Sequence, residues 1–209
     1  MINILIADDH SVVREGLKYI LKKIPDTIIS EASNGMEVIE TIKKKHYDLI
    51  LLDIAMPGRA GIDTLIELKD VQPDTKVLVL SMFPEEQYAL RALKSGASGY
   101  LTKESIPGEL IKAIKKVLHG GKYISSQFSD KLLLTIDTEG ERLAHDSLSN
   151  REYQVMRMIA SGKTLSEIAE ELSLSVKTIG TYRSRILEKM GIRNNAEIIQ
   201  YAVKDKLVE

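Results

Sequence analysis

Asp8, Asp9, Asp53, Ser81 and Lys103 are the residues whose types could do chemistry together. Each follows a short apolar run: Ile2–Ala7 leads into the acid pair, Leu49–Leu52 into Asp53, Val77–Leu80 into Ser81 and Gly99–Thr102 into Lys103. Three carboxylates cannot share a small volume ionised without a counter-charge, because like charges repel strongly at low dielectric. Either a divalent cation or a raised carboxyl pKa removes the conflict. Oxygen-only ligands with open positions suit Mg²⁺, which keeps waters and accepts phosphate oxygens. A carboxylate on such a cation can act as nucleophile towards a phosphoryl donor and form an aspartyl phosphate. A lysine and a hydroxyl would then hold the remaining phosphoryl oxygens. For Asp53 taken alone, capping of the loop at Met56-Pro57-Gly58 is the simpler reading, so the convergence of the other residues decides.

The elements that would bring them together are legible. Leu49–Leu52 is apolar with no alternation, the pattern of a strand buried on both faces of a parallel sheet. Strands are expected at 2–7, 27–33, 48–53, 76–81 and 99–102. Helices are expected from Ser11 to near Pro25, then over 35–45, 61–71, 84–95 and 105–118. Ser11 is expected to cap the first of these, with Val12, Val13, Leu17, Ile20 and Leu21 on its apolar side. Five β-α units with short connections imply an α/β fold, a parallel sheet with helices on both faces. Five units suit the flavodoxin-like strand order 2-1-3-4-5, in which strands 1 and 3 are neighbours and ligands bind at the carboxyl ends of the strands.

The second half reads differently. Residues 122–147 are polar and acidic, with a weak apolar patch at Leu132–Ile136, and are expected to form a linker holding one short helix. Ser149-Asn-Arg-Glu152 and Thr164-Leu-Ser-Glu167 are capping boxes. They open helices expected to reach Ala160 and Leu172, the first stopped by Gly162. A longer helix over 176–190 ends at Gly191, and Asn194 or Asn195 starts a last one. Two short helices joined by a tight turn resemble a helix-turn-helix. In its second helix Ile179, Tyr182, Ile186, Leu187 and Met190 form the expected buried face. The opposite face presents Lys177, Thr181, Ser184, Arg185 and Glu188, small polar and basic residues that a DNA major groove admits. A plain solvated face is the competing reading.

Bulk properties limit the function classes. The net charge of −1 hides five Lys and Arg against one acid within 175–193, so an anionic partner is expected for the C-terminal part alone. With no Cys there is neither a disulfide framework nor a thiolate site. No apolar run approaches the ~20 residues of a membrane span, and the first residues lack the basic start of a signal peptide. We therefore expect a cytoplasmic protein with no membrane partner. His10, His46, His119 and His145 show no ligand spacing, and His10 is read as a solvated neighbour of the acids.

Residues 1–120 resemble the receiver domain of two-component response regulators, in Asp8-Asp9, Asp53 with Met56-Pro57-Gly58, Ser81, Tyr100 and Lys103. The resemblance implies that Asp53 takes phosphate from a phosphohistidine on a sensor histidine kinase. It implies that Asp9, Asp53 and the Ala55 carbonyl bind Mg²⁺, with Asp8 helping through water. Lys103 would contact the phosphoryl group, while Ser81 moves to it and Tyr100 turns inward to report it. Glu104 stands where many receivers carry a proline in a cis bond. Residues 148–205 are similar to the LuxR-type DNA-binding domain, in Leu-Ser-Asn-Arg-Glu, Ile-Ala-Glu-Glu-Leu, Val-Lys-Thr-Ile and Leu-Glu-Lys-Met-Gly. Together the two halves resemble the NarL/FixJ class.

That class implies a receiver at 1–121, a linker at 122–147 and a four-helix DNA-binding domain at 148–209. Base contacts are implied for Gly180, Thr181 and Ser184, and phosphate contacts for Thr164, Lys177, Thr178 and Arg185. Gly180 replaces a residue that is often charged or polar, and Tyr182 one that is often His. Ala196, Ile199 and Val203 on the last helix would be the dimer contact. The expected protein is a transcription regulator and not an enzyme, apart from slow loss of its own acyl phosphate. It dimerises on phosphorylation and binds double-stranded DNA at inverted or paired half-sites, and the class allows RNA polymerase as a further partner. Two other readings stay open: a phosphate-independent protein-docking module, and a Mg²⁺-dependent phosphatase. Against the phosphatase, Ala55 stands where such enzymes place a second acid.

Overall fold

The protein was described from a computed structural model, which covers residues 1–56, 61–130, 143–205, 207 and 208. The chain forms two units, Met1–Thr138 and Glu139–Glu209. In the first, β1 (Ile2–Ala7), β2 (Thr27–Ala32), β3 (Leu49–Asp53), β4 (Lys76–Ser81) and β5 (Gly99–Thr102) alternate with five helices. These are α1 (Ser11–Leu21), α2 (Gly35–Lys44), α3 (Gly61–Val71), α4 (Glu85–Lys94) and α5 (Ile106–Leu118). The sheet is parallel throughout and ordered β2-β1-β3-β4-β5, as the alternation implied. All five residues of β3 are buried, which is why this strand carries no alternation. On one side of the sheet Ile4, Ile6, Leu49, Leu51, Leu78 and Leu80 pack with Leu17, Leu21, Leu110, Ile114 and Val117.

Two local expectations differ from the structure. Ser11 is the first residue of α1, and His10 occupies the cap without a side-chain bond; its N–H donates to Asp8 Oδ1 at 2.9 Å instead. The acid pair, rather than a serine, therefore organises this turn. Only Leu17 and Leu21 of α1 are buried, and Val12 is 82% exposed. Helical spacing names a face, but the width of the sheet beneath decides how much of that face is covered.

Residues after Gly121 complete the sheet. Tyr123 bridges Gly99, donating its N–H to Ser98 O at 3.0 Å and accepting from Tyr100 N–H at 2.8 Å. It satisfies backbone groups on the outer edge of β5 that would otherwise template association. The expected linker is thus anchored to the first unit at its start, and residues 126–130 are helical. The apolar patch Leu132–Ile136 lies outside the described residues.

The second unit is built from α6 (Asn150–Ala160), α7 (Leu165–Glu171), α8 (Val176–Met190) and α9 (Asn195–Lys204). Both capping boxes form, Ser149 with Glu152 and Thr164 with Glu167. Gly162 and Gly191 take positive φ of 85° and 66°, where a side chain would be strained, and stop α6 and α8. Asn194 caps α9 by accepting from Glu197 N–H. Ile168, Ile179, Ile186 and Ile198 are fully buried between these helices. Among the described residues, no helix is long and apolar enough to cross a membrane.

Seating Tyr123 depends on Gly99, where a Cβ would meet Tyr123 O at 2.6 Å and Tyr123 Cβ at 2.9 Å. Gly99→Ala is expected to destabilise the protein by about 1–3 kcal/mol, the usual cost of overpacking. Thermal unfolding followed by circular dichroism reads this, and an unchanged midpoint would show that Tyr123 does not lie on β5.

Candidate functional site

The sheet register assembles the site. Ala7 pairs with Leu52 across β1 and β3, so Asp8, one residue on, reaches the end of β3 beside Asp53. Asp53 pairs with Leu80, and Ser81 with Thr102, which puts Ser81 and then Lys103 at the same rim. The Lys103 ammonium lies 2.7 Å from Asp53 Oδ2 and 2.7 Å from Asp8 Oδ2. Asp53 and Asp8 are fully buried, and Lys103 is nearly so. Asp53 Oδ1 accepts the Ala55 N–H at 2.8 Å, which fixes the carboxylate plane at the turn out of β3. Pro57 and Gly58 lie outside the described residues.

Asp9 and His10 complete the acidic cluster. One ligand atom from each of Asp8, Asp9, His10 and Asp53 lies within 4.8 Å of all the others. The His10 ring is mostly exposed, as expected of a solvated neighbour, yet its Nδ1 stands 2.9 Å from Asp9 Oδ1 and 3.4 Å from Asp8 Oδ1. Burial pushes the Asp53 carboxyl above its ordinary value, against the opposing pull of the Lys103 charge and hydrogen bond and the Ala55 N–H. Burial alone would lower Lys103, but the Asp53 and Asp8 carboxylates outweigh it and hold the ammonium above its ordinary value. Among the described residues, the Lys103 ammonium meets the rim where three carboxylates gather, so negative charge is in excess there. Asp9 Oδ1 is shielded from solvent, and the His10 ring nitrogen is its neighbour at 2.9 Å. Hard oxygen donors gathered within 4.8 Å of one another and a surplus of negative charge fit a small divalent cation such as Mg²⁺.

Ser81 and Tyr100 both grip Phe83. Ser81 is buried, and its Oγ accepts the Phe83 N–H at 3.0 Å. Tyr100 is fully buried and donates its hydroxyl to Phe83 O at 2.8 Å. The Tyr100 ring lies inside the fold in this structure, held by a backbone carbonyl. Sequence reasoning missed Phe83 because its part is played by backbone atoms, which leave no mark on residue type. No described peptide bond is cis, the one before Glu104 included.

The helical unit sorts the remaining candidates. On α8, Lys177, Thr181, Ser184 and Arg185 are exposed and share one side. Thr178 and Gly180 are half-buried, and a Cβ at Gly180 would meet open space. Thr181 and Ser184 donate their hydroxyls back to Lys177 O and Gly180 O, each at 3.1 Å. Ile179, Ile186 and Met190 are buried, whereas Tyr182 and Leu187, expected with them, are only half-covered. Thr164 is exposed on a different element, where its hydroxyl caps α7. On α9, Ile198 and Ala202 face inward while Ala196, Ile199 and Val203 are exposed together.

Comparison with known proteins agrees with this division. Residues 4–115 match the response regulator receiver domain, and residues 146–202 match the luxR family of bacterial regulatory proteins. The chain is 34% identical to the response regulator UvrY of Escherichia coli strain K12 over 209 residues, covering 99% of this chain and 96% of that one. It is also 34% identical to the oxygen regulatory protein NreC of Staphylococcus epidermidis over 215 residues, covering 99% of each. This chain is a response regulator of the NarL/FixJ class. Among solved structures, the RcsB response regulator of Salmonella typhimurium aligns with a TM-score of 0.69 at 26% identity, covering 97% of each chain. RcsB bound to the promoter rprA with the phosphomimetic BeF3- aligns at 0.63 and 27%, covering 96% of this regulator and 98% of RcsB.

Because burial raises the Asp53 carboxyl pKa, the folded regulator holds this proton more tightly than the unfolded chain. The corresponding stabilisation is complete below the unfolded pKa of ~3.9 and is lost as pH rises through the folded value. Asp53→Asn is expected to raise stability at pH 7, by on the order of 1 kcal/mol. The gain should shrink towards pH 4. Denaturant unfolding of both proteins across that range checks the sign, and a less stable variant at pH 7 would contradict it.

Proposed function

We propose that this regulator is switched by phosphorylation of Asp53 from a sensor histidine kinase and then binds double-stranded DNA as a dimer to control transcription. The single observation that carries the reading is the Lys103 ammonium, 2.7 Å from both Asp8 and Asp53 at one rim. In the reaction an Asp53 carboxylate oxygen bonds to phosphorus as the phosphorus–nitrogen bond of the donor phosphohistidine breaks. Lys103 exchanges part of its contact with Asp53 for a phosphoryl oxygen, which keeps the developing charge compensated. Ser81 donates its hydroxyl to another of these oxygens. Asp8, Asp9, Asp53 and the Ala55 carbonyl would hold Mg²⁺, which when bound supplies positive charge for the transferring phosphoryl group. The protein turns over no external substrate, and its acyl phosphate is lost slowly.

The proposed partition is a receiver at 1–121, a linker at 122–147 and a LuxR-type domain at 148–209, in a cytoplasmic protein. Gly180, Thr181 and Ser184 face base edges, while Thr164, Lys177, Thr178 and Arg185 meet phosphates. Exposure of Lys177, Thr181, Ser184 and Arg185 on one side of α8 supports this. RcsB, a structural relative, has been solved on promoter DNA. Ala196, Ile199 and Val203 form the dimer contact, with half-sites about one DNA turn apart. RNA polymerase is the partner through which bound regulator acts on transcription. Moving a two-state equilibrium from 1:99 to 99:1 takes ~5.5 kcal/mol, more than one phosphate contact provides, so dimerisation and DNA share it.

Two experiments test this. With Mg²⁺ and acetyl phosphate the intact protein should gain the mass of one phosphoryl group, and Asp53→Asn should gain none. A gain retained in Asp53→Asn would move the acceptor elsewhere. On DNA, Lys177→Ala should weaken binding to all sequences alike and reduce the slope of log affinity against log salt by about one unit. An unchanged slope would remove Lys177 from the phosphate contacts.

A further inference from the structure

We propose that Glu85 and Ser125 form a latch that passes the state of the Asp53 rim to the segment leading into the DNA-binding unit. The proposal rests on the phosphorylation reading above and adds the route by which the signal leaves the receiver.

The route is a continuous set of contacts within the first unit. Ser81 Oγ accepts the Phe83 N–H, and Tyr100 donates its hydroxyl to the carbonyl of the same residue. Two residues further on, Glu85 opens α4 and is buried. Its carboxylate takes two hydrogen bonds from one distant residue: the Ser125 N–H donates to Oε1 at 3.1 Å, and the Ser125 hydroxyl donates to Oε2. Ser125 in turn starts the helical turn at 126–130, accepting the Phe128 N–H on Oγ at 3.1 Å and the Ser129 N–H on its carbonyl at 3.0 Å. Phe128 is buried behind it. A second strand of the route joins Tyr100 N–H to Tyr123 O, and the Tyr123 hydroxyl to Glu109 of α5.

A buried carboxylate is stable only while its oxygens are satisfied. Glu85 therefore holds residues 125–128 in place as long as the 81–85 backbone keeps its path. That path depends on the Ser81 hydroxyl staying on the Phe83 N–H. Rotation of Ser81 towards a phosphoryl group withdraws the acceptor, lets residues 83–85 shift, and separates Glu85 from Ser125. Phosphorylation thus loosens the start of the interdomain segment. Glu85 and Ser125 are positioning residues and take no part in the phosphoryl chemistry.

Full-length protein with and without acetyl phosphate and Mg²⁺ tests the latch in two ways. Hydrogen exchange of the Ser125 and Phe128 amides should speed up at least tenfold on phosphorylation; equal or slower exchange overturns the proposal. The second readout is the ratio of affinities of phosphorylated and unphosphorylated protein for a duplex selected from random sequence by the phosphorylated form. Glu85→Gln and Ser125→Ala should bring this ratio to within twofold of one, with the phosphoryl mass gain unchanged. The double variant should do no more, and Ser125→Thr, which keeps the hydroxyl, should preserve the wild-type ratio. A wild-type ratio in both Glu85→Gln and Ser125→Ala overturns the latch and leaves the phosphorylation reading standing. Absence of a mass gain in the wild type overturns that reading and the latch with it.

Discussion

A single ammonium shared between two buried carboxylates is the interaction on which the receiver rests. Lys103 ties the end of β5 to the ends of β1 and β3 by reaching Asp8 and Asp53 at equal distance. Neither carboxylate could be buried ionised without it, since an unpaired charge in a low-dielectric site is among the most destabilising features a fold can carry. The pairing is incomplete among the described residues: Lys103 meets Asp8 and Asp53, and Asp9 adds a third carboxylate to the cluster. Burial still drives the Asp53 carboxyl upward despite the lysine. Stability and the proposed reactivity pull in opposite directions here, because the surplus charge that strains the rim is what would attract a cation.

The parallel sheet makes this arrangement possible. Every strand runs the same way, so the residue after each strand arrives at one edge, and the register decides which of them touch. Ala7 opposite Leu52 and Ser81 opposite Thr102 are backbone pairings, yet they determine that Asp8 meets Asp53 and that Lys103 can reach both. The edge strand β5 is the weak point of such a sheet, and Tyr123 covers it. The same residue binds the backbone of Tyr100, so protection of the edge and placement of the Tyr100 ring are one structural fact.

The helical unit is held by more local means. Capping boxes satisfy the first amides of α6 and α7 within four residues of chain, and Gly162 and Gly191 end α6 and α8 by adopting backbone angles that other residues avoid. Ile159, Ile168, Ile179, Ile186 and Ile198 are among the side chains buried in its core, which leaves α8 free to present Lys177, Thr181, Ser184 and Arg185 outward. Thr181 and Ser184 turn their hydroxyls back onto the helix, keeping the face low between the basic residues. Gly180 deepens it further, at the usual cost of a glycine inside a helix.

Local pattern determined much of this protein. The unbroken apolar run before Asp53, the five β-α alternations, both capping boxes and the two stop glycines are statements about neighbours in sequence, and the sequence by itself carries them. It also placed the five rim residues at strand ends, from which their convergence follows once the sheet order is known. Tertiary structure decided what pairs through space. That Lys103 serves Asp8 as well as Asp53, that Phe83 is held by Ser81 and Tyr100 through backbone atoms, and that Val12 stays in solvent depend on sheet width and register. Tyr123 and Ser125 are the clearest case: in a polar stretch they read as linker, and only the open edge of β5 and the buried carboxylate of Glu85 give them partners. Periodicity reports which side of an element is apolar; it holds no information on which distant backbone group will need a hydrogen bond.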